Sequence, residues 1–302
     1  MKYKLLIYPS YAGLSSSAGS KQLRGSYTRA NSFVSGIFTI ITFLVVVSLK
    51  IVEAQSEYLS LKRTYLSNFS IYQDQRSAYE TAKSKYESFG TLSAQTLAVG
   101  SAKSFLNAGA TSTLNYLDIL NYQVRNFKNF SNEDKEKIFK LIADDQVYFK
   151  NLLNKTATMT AISDLNTISL EVDTYYKQTT NPKIKLILLF IETEKTISIQ
   201  NGAEDISNNI SRLAEDYSQT KKSTINTWYQ QTLDSLDQSG ADIKATTENL
   251  SELLGIYLAP DQKLDYSQKA SVSKAQTLID NSQQILKSII NNIDEIVIQV
   301  NT

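Results

Sequence analysis

Residues 33–89 read FVSGIFTIITFLVVVSLKIVEAQSEYLSLKRTYLSNFSIYQDQRSAYETAKSKYESF, and within them Tyr58, Tyr65, Tyr72, Tyr79 and Tyr86 follow one another at seven-residue steps. A step of seven keeps side chains on one stripe of an α-helix, whereas a strand repeats every two residues. The same frame runs back through Ile51, Leu44 and Ile37 into an apolar run, and no Gly or Pro interrupts residues 37–89. One continuous helix is therefore expected. The companion position, at Ala54, Leu61, Asn68, Gln75, Ala82 and Phe89, is mixed, so the stripe is weaker than a leucine seam. Tyrosine is bulky and amphipathic, which suits flat packing on a broad neighbour better than a tight two-stranded core. The stripe reads as the seam of an intramolecular bundle or as an intermolecular interface with phenols at its rim.

Phe33 to Leu49 carry no charge, and Lys50 can snorkel to let Ile51 and Val52 extend the run, so residues 33–52 are expected to span a membrane once. Lys2, Lys4, Lys21, Arg24 and Arg29 precede this span, against Lys62 and Arg63 shortly after it. The positive-inside rule then places residues 1–32 as a basic cytoplasmic tail and the bulk of the chain outside. Val52-Glu53-Ala54 faintly resembles a signal-peptide cleavage site, but a 32-residue leading region is long for a signal, so an uncleaved anchor is the reading. The run Gly36-Ile37-Phe38-Thr39-Ile40-Ile41-Thr42-Phe43-Leu44-Val45-Val46-Val47 resembles the N-terminal segment of type IV pilins. That resemblance implies a filament subunit, but Ser35 stands where the family has Lys or Arg and no Glu follows at the fifth position.

The rest of the 302 residues favours helices, with ten Gly and only Pro9, Pro182 and Pro260 to punctuate them. With no Cys and no His, disulfides, thiolate catalysis, imidazole bases and Cys/His zinc sites are excluded. Net charge is +1, yet residues 1–52 hold six basic and no acidic side chains, leaving the remainder near −5. A mildly acidic bulk with scattered charges offers no stripe for nucleic acid.

In chain order, Gly90, Gly100 and Gly109 suggest a small-residue connection after the first helix, with a bend or close packing there. Leu114, Leu117, Leu120, Val124 and Phe127 have helical spacing, and Ser131 with Asp134 reads as a capping box opening a helix through Ile138, Leu141, Ile142, Val147, Phe149 and Leu152. A helix through Met159, Ile162, Leu165, Val172 and Tyr176 is expected to close at Asn181-Pro182. Residues 184–200 fit a buried helix or a β-hairpin, and the helical neighbours favour the helix. A further amphipathic helix from Ile206 is expected to end at Gly240, and a shorter one through Leu250, Leu253, Leu254 and Tyr257 stops before Pro260.

The last helix carries a second heptad: Val272, Ile279, Leu286, Ile293 and Val300 at one position, Ala275, Ser282, Ile289 and Ile296 at the other. Its length matches that of residues 53–89, so the two heptads are expected to pack antiparallel. The adjacent acids Asp144-Asp145, Glu204-Asp205 and Glu215-Asp216 read as solvated helix faces, and no catalytic, cofactor-binding or metal-binding residue is assigned. Sequons at Asn68, Asn129, Asn154, Asn209 and Asn249 are about as many as chance gives in this composition.

The resulting fold class is all-α: a single N-terminal transmembrane helix (33–52) continuous with a coiled-coil-like helix (53–89), then an extracytoplasmic helical bundle (90–266) and a C-terminal heptad helix (267–302). The expected role is a non-enzymatic membrane-anchored scaffold subunit, its partners the lipid bilayer and other proteins through helix–helix packing. The alternative is a receptor-like sensor whose bundle binds a small ligand.

Overall fold

The computed structural model describes residues 33–214, 219–259 and 266–301, with side chains over 56–210, 223–259 and 269–298. Every regular element among them is helical: α1 (Phe33–Phe89), α2 (Leu92–Arg125), α3 (Asn132–Ala157), α4 (Ile162–Tyr175), a π-helical turn (Tyr176–Thr180), α5 (Asn181–Ala214), α6 (Gln219–Leu258) and α7 (Tyr266–Asn301). Among the described residues no helix is long and apolar enough to cross a membrane. The tail over 1–32 and the side chains of the expected span over 33–52 lie outside them, as does that of Val300. The described residues divide into two compact units at the boundary between Ile119 and Leu120.

The first unit holds a helical hairpin. Helix α1 ends as expected at Phe89, because Gly90 takes a positive φ of 60° and its N–H returns to the Tyr86 carbonyl at 2.9 Å. The small-residue connection is two residues, Gly90 and Thr91: Thr91 caps α2, its Oγ1 accepting the Ala94 N–H at 3.2 Å, while Gly100 and Gly109 lie inside the helix. Glycine costs a helix only about 1 kcal/mol, which packing can outweigh. Gly109 packs against the Tyr72 ring, which a Cβ there would meet at 3.4 Å, an ordinary contact distance.

In the second unit α3 opens as the sequence suggests, with Ser131 Oγ accepting the Asp134 N–H at 3.0 Å, but Val147, expected on its apolar face, is 58% exposed because it lies off the buried stripe of Ile142, Asp145, Phe149 and Leu152. Residues 184–200 are helical, within α5. The expected stop at Asn181-Pro182 does not occur. Proline lacks an N–H and its ring crowds the carbonyl four residues back. The backbone instead widens to a π turn, with the Asn181 N–H bonded to the Tyr176 carbonyl, and Pro182 is absorbed in the first turn of α5.

The helix expected from Ile206 to Gly240 is not one element: residues 206–214 belong to α5, and α6 begins at Gln219, runs through Gly240 and takes in the residues expected as a separate short helix, stopping at Leu258 before Pro260 as expected. Helices α5, α6 and α7 form a three-helix bundle around Ala203, Ile210, Ile225, Leu236, Leu286, Ile289, Ile293 and Ile296. Gln276 Nε2 donates to Glu192 at 3.3 Å and Gln283 Nε2 to Thr196 at 3.3 Å, so residue numbers rise together and α5 and α7 run parallel. The core alternates apolar layers with a hydroxyl row on α6, where Thr232, Ser239 and Thr246 are fully buried at heptad steps.

Candidate functional site

The two heptads read from the sequence are both packing seams, each filled within its own unit. Tyr65 packs on Tyr116 with ring centroids 5.4 Å apart, while Tyr72 and Tyr79 stack on Phe105 at 5.3 and 5.5 Å. Tyr72 is buried, and Tyr58, Tyr65, Tyr79 and Tyr86 are half-buried. Burial raises the Tyr65 and Tyr79 phenols above the usual tyrosine range, and Glu87 adds to the effect at Tyr79. Asn68, a polar interruption of the companion position, donates to Asn115 Oδ1 at 2.8 Å and so serves the hairpin. On α7, Ala275, Ile279, Ser282, Leu286, Ile289, Ile293 and Ile296 are buried and Val272 is half-buried. The partners of this seam are α5 and α6 rather than the tyrosine helix expected from its length. A seam needs a partner, and the neighbouring helix reaches it with far less loop to close.

A second constellation lies where the sequence suggested only solvated charge. Asp144 is exposed and pairs with Lys140 at 3.2 Å, as expected of a helix face. Asp145 is 1% exposed and corrects that reading: its Oδ1 accepts from Lys183 Nζ at 2.8 Å and from the Tyr175 hydroxyl at 3.0 Å. The signal was its position, because Ile138, Ile142, Asp145, Phe149, Leu152 and Thr156 form one stripe with three- and four-residue steps, all buried. Lys183 heads the apolar run of α5 and reaches the acid from just beyond the π turn.

Tyr175 and Tyr148 stack face to face with centroids 3.5 Å apart and ring planes 11° apart, and Phe149 meets each edge-on. Burial is the first cause that holds both phenols far above the usual range; Glu171 adds to it at Tyr148, and the Asp145 charge at Tyr175. Both rings stay neutral at physiological pH. The rings line a cleft of about 570 Å³ between α3, α4 and the π turn, completed by Thr167, Leu170, Glu171, Thr174, Gln178 and Thr179. Glu171 also receives Lys155 Nζ at 2.6 Å.

The Tyr148–Tyr175 stack is thus held beside the cleft by a buried acid. The Asp145 carboxylate is sequestered from the cleft by the ring it anchors, and its ion pair with Lys183 is fixed by burial. Of the other acid pairs, Glu204 and Asp205 are exposed, which agrees with the solvated reading, and Glu215-Asp216 lie outside the described residues. Comparison with family models, with curated proteins and with solved structures gives no match to this chain.

Proposed function

We propose that this chain is a non-enzymatic scaffold subunit, anchored in a bilayer by residues 33–52 with its N-terminus cytoplasmic, that assembles with other proteins by helix–helix packing. The observation that carries this reading is the spacing of its exposed large apolar residues. Leu59 and Leu66 on α1 are 44% and 52% exposed, and Ile199 and Ile206 on α5 are 47% and 46% exposed. Scattered apolar residues on a surface need no explanation, but pairs one heptad apart are half-seams on which a further helix can lie.

In mild detergent the full chain should elute as a stoichiometric assembly. Replacing Leu59, Leu66, Ile199 and Ile206 by Ser should release a smaller species whose melting temperature is unchanged. A wild-type chain that elutes alone as a monomer overturns the scaffold. The receptor reading draws on a separate observation, the cleft at Tyr148 and Tyr175, and it is favoured if the chain runs as a lone dimer whose melting temperature rises with a small ligand.

A further inference from the structure

We propose that the cleft between α3 and α4 binds a small alkylammonium ligand, seated against the Tyr148–Tyr175 ring pair with Glu171 as its counter-charge. This deepens the receptor reading by giving it a ligand class, and it rests on the cleft alone.

The cleft is an open groove of about 570 Å³: Thr167, Leu170, Thr174 and Gln178 in its lining are exposed, and Tyr148, Glu171, Tyr175 and Thr179 are half-buried. The wall from α4 is one helix face, Thr167, Leu170, Glu171 and Thr174, where 167 and 171, and 170 and 174, are four residues apart, and Gln178 and Thr179 of the π turn extend it. Opposite stands Tyr148, stacked on Tyr175. The pair is preorganised, because Tyr175 is tied through its hydroxyl to the buried Asp145 and so cannot swing without breaking that bond. Preorganised rings bind with less ordering cost than mobile ones.

The charge of the lining selects the ligand. Glu171 is the sole acidic side chain among the lining residues, and no Lys or Arg lines the cleft, the nearest ammonium being that of Lys155, which pairs with Glu171 from outside the lining. Glu171 already draws in one ammonium, that of Lys155, whose side chain is 52% exposed and can leave to water. An incoming ammonium takes its place and gains the ring quadrupole, which attracts cations when the phenols are neutral. Burial and the neighbouring carboxylates keep both phenols protonated, so the rings remain neutral π faces rather than phenolates. Thr167, Thr174, Gln178 and Thr179 add neutral hydrogen-bonding groups for a hydroxyl or amine on the same ligand.

The test is calorimetric titration of the full chain in detergent with choline and with its uncharged isostere 3,3-dimethylbutan-1-ol. Choline should bind saturably at one site and the isostere about tenfold more weakly, as expected when cation–π and ionic contacts are removed together. Glu171→Gln should weaken choline by about tenfold, Tyr148→Leu should do at least as much, and Tyr148→Phe, which keeps the ring, should leave binding intact. Lys155→Gln removes the competing ammonium and should tighten binding, an outcome that a merely structural Glu171 does not produce. Absence of saturable choline binding, equal affinity for the isostere, or indifference to Glu171→Gln overturns the proposal. If Tyr148→Leu does not fold, Glu171→Gln and Lys155→Gln still decide, since both alter exposed ends of side chains. Elution volume, recorded on the same samples, reports the scaffold separately, so failure of one reading is distinguishable from failure of the other.

Discussion

Glu194 Oε1 accepts the backbone N–H of Lys128 at 2.7 Å, although 66 residues separate them. Glu194 Oε2 accepts the Asn129 N–H at 3.1 Å and Oε1 also takes Asn129 Nδ2 at 3.1 Å, so one buried carboxylate closes the connection between α2 and α3 onto α5. The flanking rings pack in the same place, Phe130 on Phe190 at 4.9 Å. Replacement by Ala would orphan two backbone donors and lose charge-assisted bonds, a cost of about 3 kcal/mol. Thermal unfolding followed by circular dichroism should show Glu194→Ala about 10 °C below wild type and Glu194→Gln, which keeps an acceptor, roughly halfway. Equal melting of Glu194→Ala and wild type would mean that water satisfies the turn.

The two stacked tyrosines should respond oppositely to loss of a hydroxyl. Tyr148 OH is buried without a hydrogen-bond partner, whereas Tyr175 OH supplies one of the two bonds to Asp145. Asp145 Oδ2 has no partner already, so removing the phenol leaves Lys183 alone on a buried carboxylate. An unsatisfied buried hydroxyl costs about 1–3 kcal/mol, and a hydrogen bond to a charge contributes about 1.5–3 kcal/mol. Tyr148→Phe should therefore be neutral or stabilising by about 1 kcal/mol, and Tyr175→Phe destabilising by about 2 kcal/mol, in denaturant titrations of each. The same sign for both would undo the assignment of Tyr175 as the anchor.

The seven-residue repeats made the helices legible, because periodicity depends only on which residues recur. The α7 seam is buried at Ala275, Ile279, Ser282, Leu286, Ile289, Ile293 and Ile296 as its spacing requires. Which helix fills a seam is a global matter. The tyrosine stripe meets Phe105 and Tyr116 on α2, aromatic residues that no short repeat marks. Residue type misled where tertiary context prevailed. Asp145 and Lys183 look like surface residues until they are seen to neutralise one another in the interior, and Pro182 looks like a stop until a π turn makes room for it. Gly240 looks like a helix end until α6 is seen to run through it, and no pattern marks it as the neighbour of Gln200.

Alkaline pH should unfold the protein through its tyrosines. Tyr65, Tyr79, Tyr148, Tyr175 and Tyr257 all have phenols raised by burial, Tyr257 to about 12. A raised folded value means that the unfolded chain loses these protons first, near pH 10. The stability tied to these phenols is present in full below that value and is lost as pH rises through the folded values, with no effect on the acid side. Tyrosinate absorbance and helical circular dichroism should change together above about pH 10. Complete ionisation of all tyrosines with helicity intact would show that the rings are accessible.

Gly240 and Gln200 should be energetically coupled, whereas Gly100 should not be coupled to anything. A Cβ at Gly240 would lie 2.9 Å from Gln200 Nε2, while at Gly100 it would meet nothing within 4 Å. Gln200 is buried, with its amide donating to the Leu236 carbonyl at 3.4 Å and to Glu204 at 3.0 Å, so it cannot simply withdraw. Its Oε1 has no partner, which makes the side chain costly to keep and costly to disturb. Ala in place of Gly inside a helix gains about 1 kcal/mol when space is open, so Gly100→Ala should stabilise by about that amount. At Gly240 the same gain is set against displacement of the amide from a closed core, and the net change should be a loss of about 1–2 kcal/mol. Shortening Gln200 to Ala empties that space, so Gly240→Ala made in the Gln200→Ala background should turn stabilising. A double-mutant cycle read by denaturant unfolding should return a coupling of about 1–3 kcal/mol. Coupling near zero would mean that Gln200 moves aside freely and that the α5–α6 contact at this layer is loose.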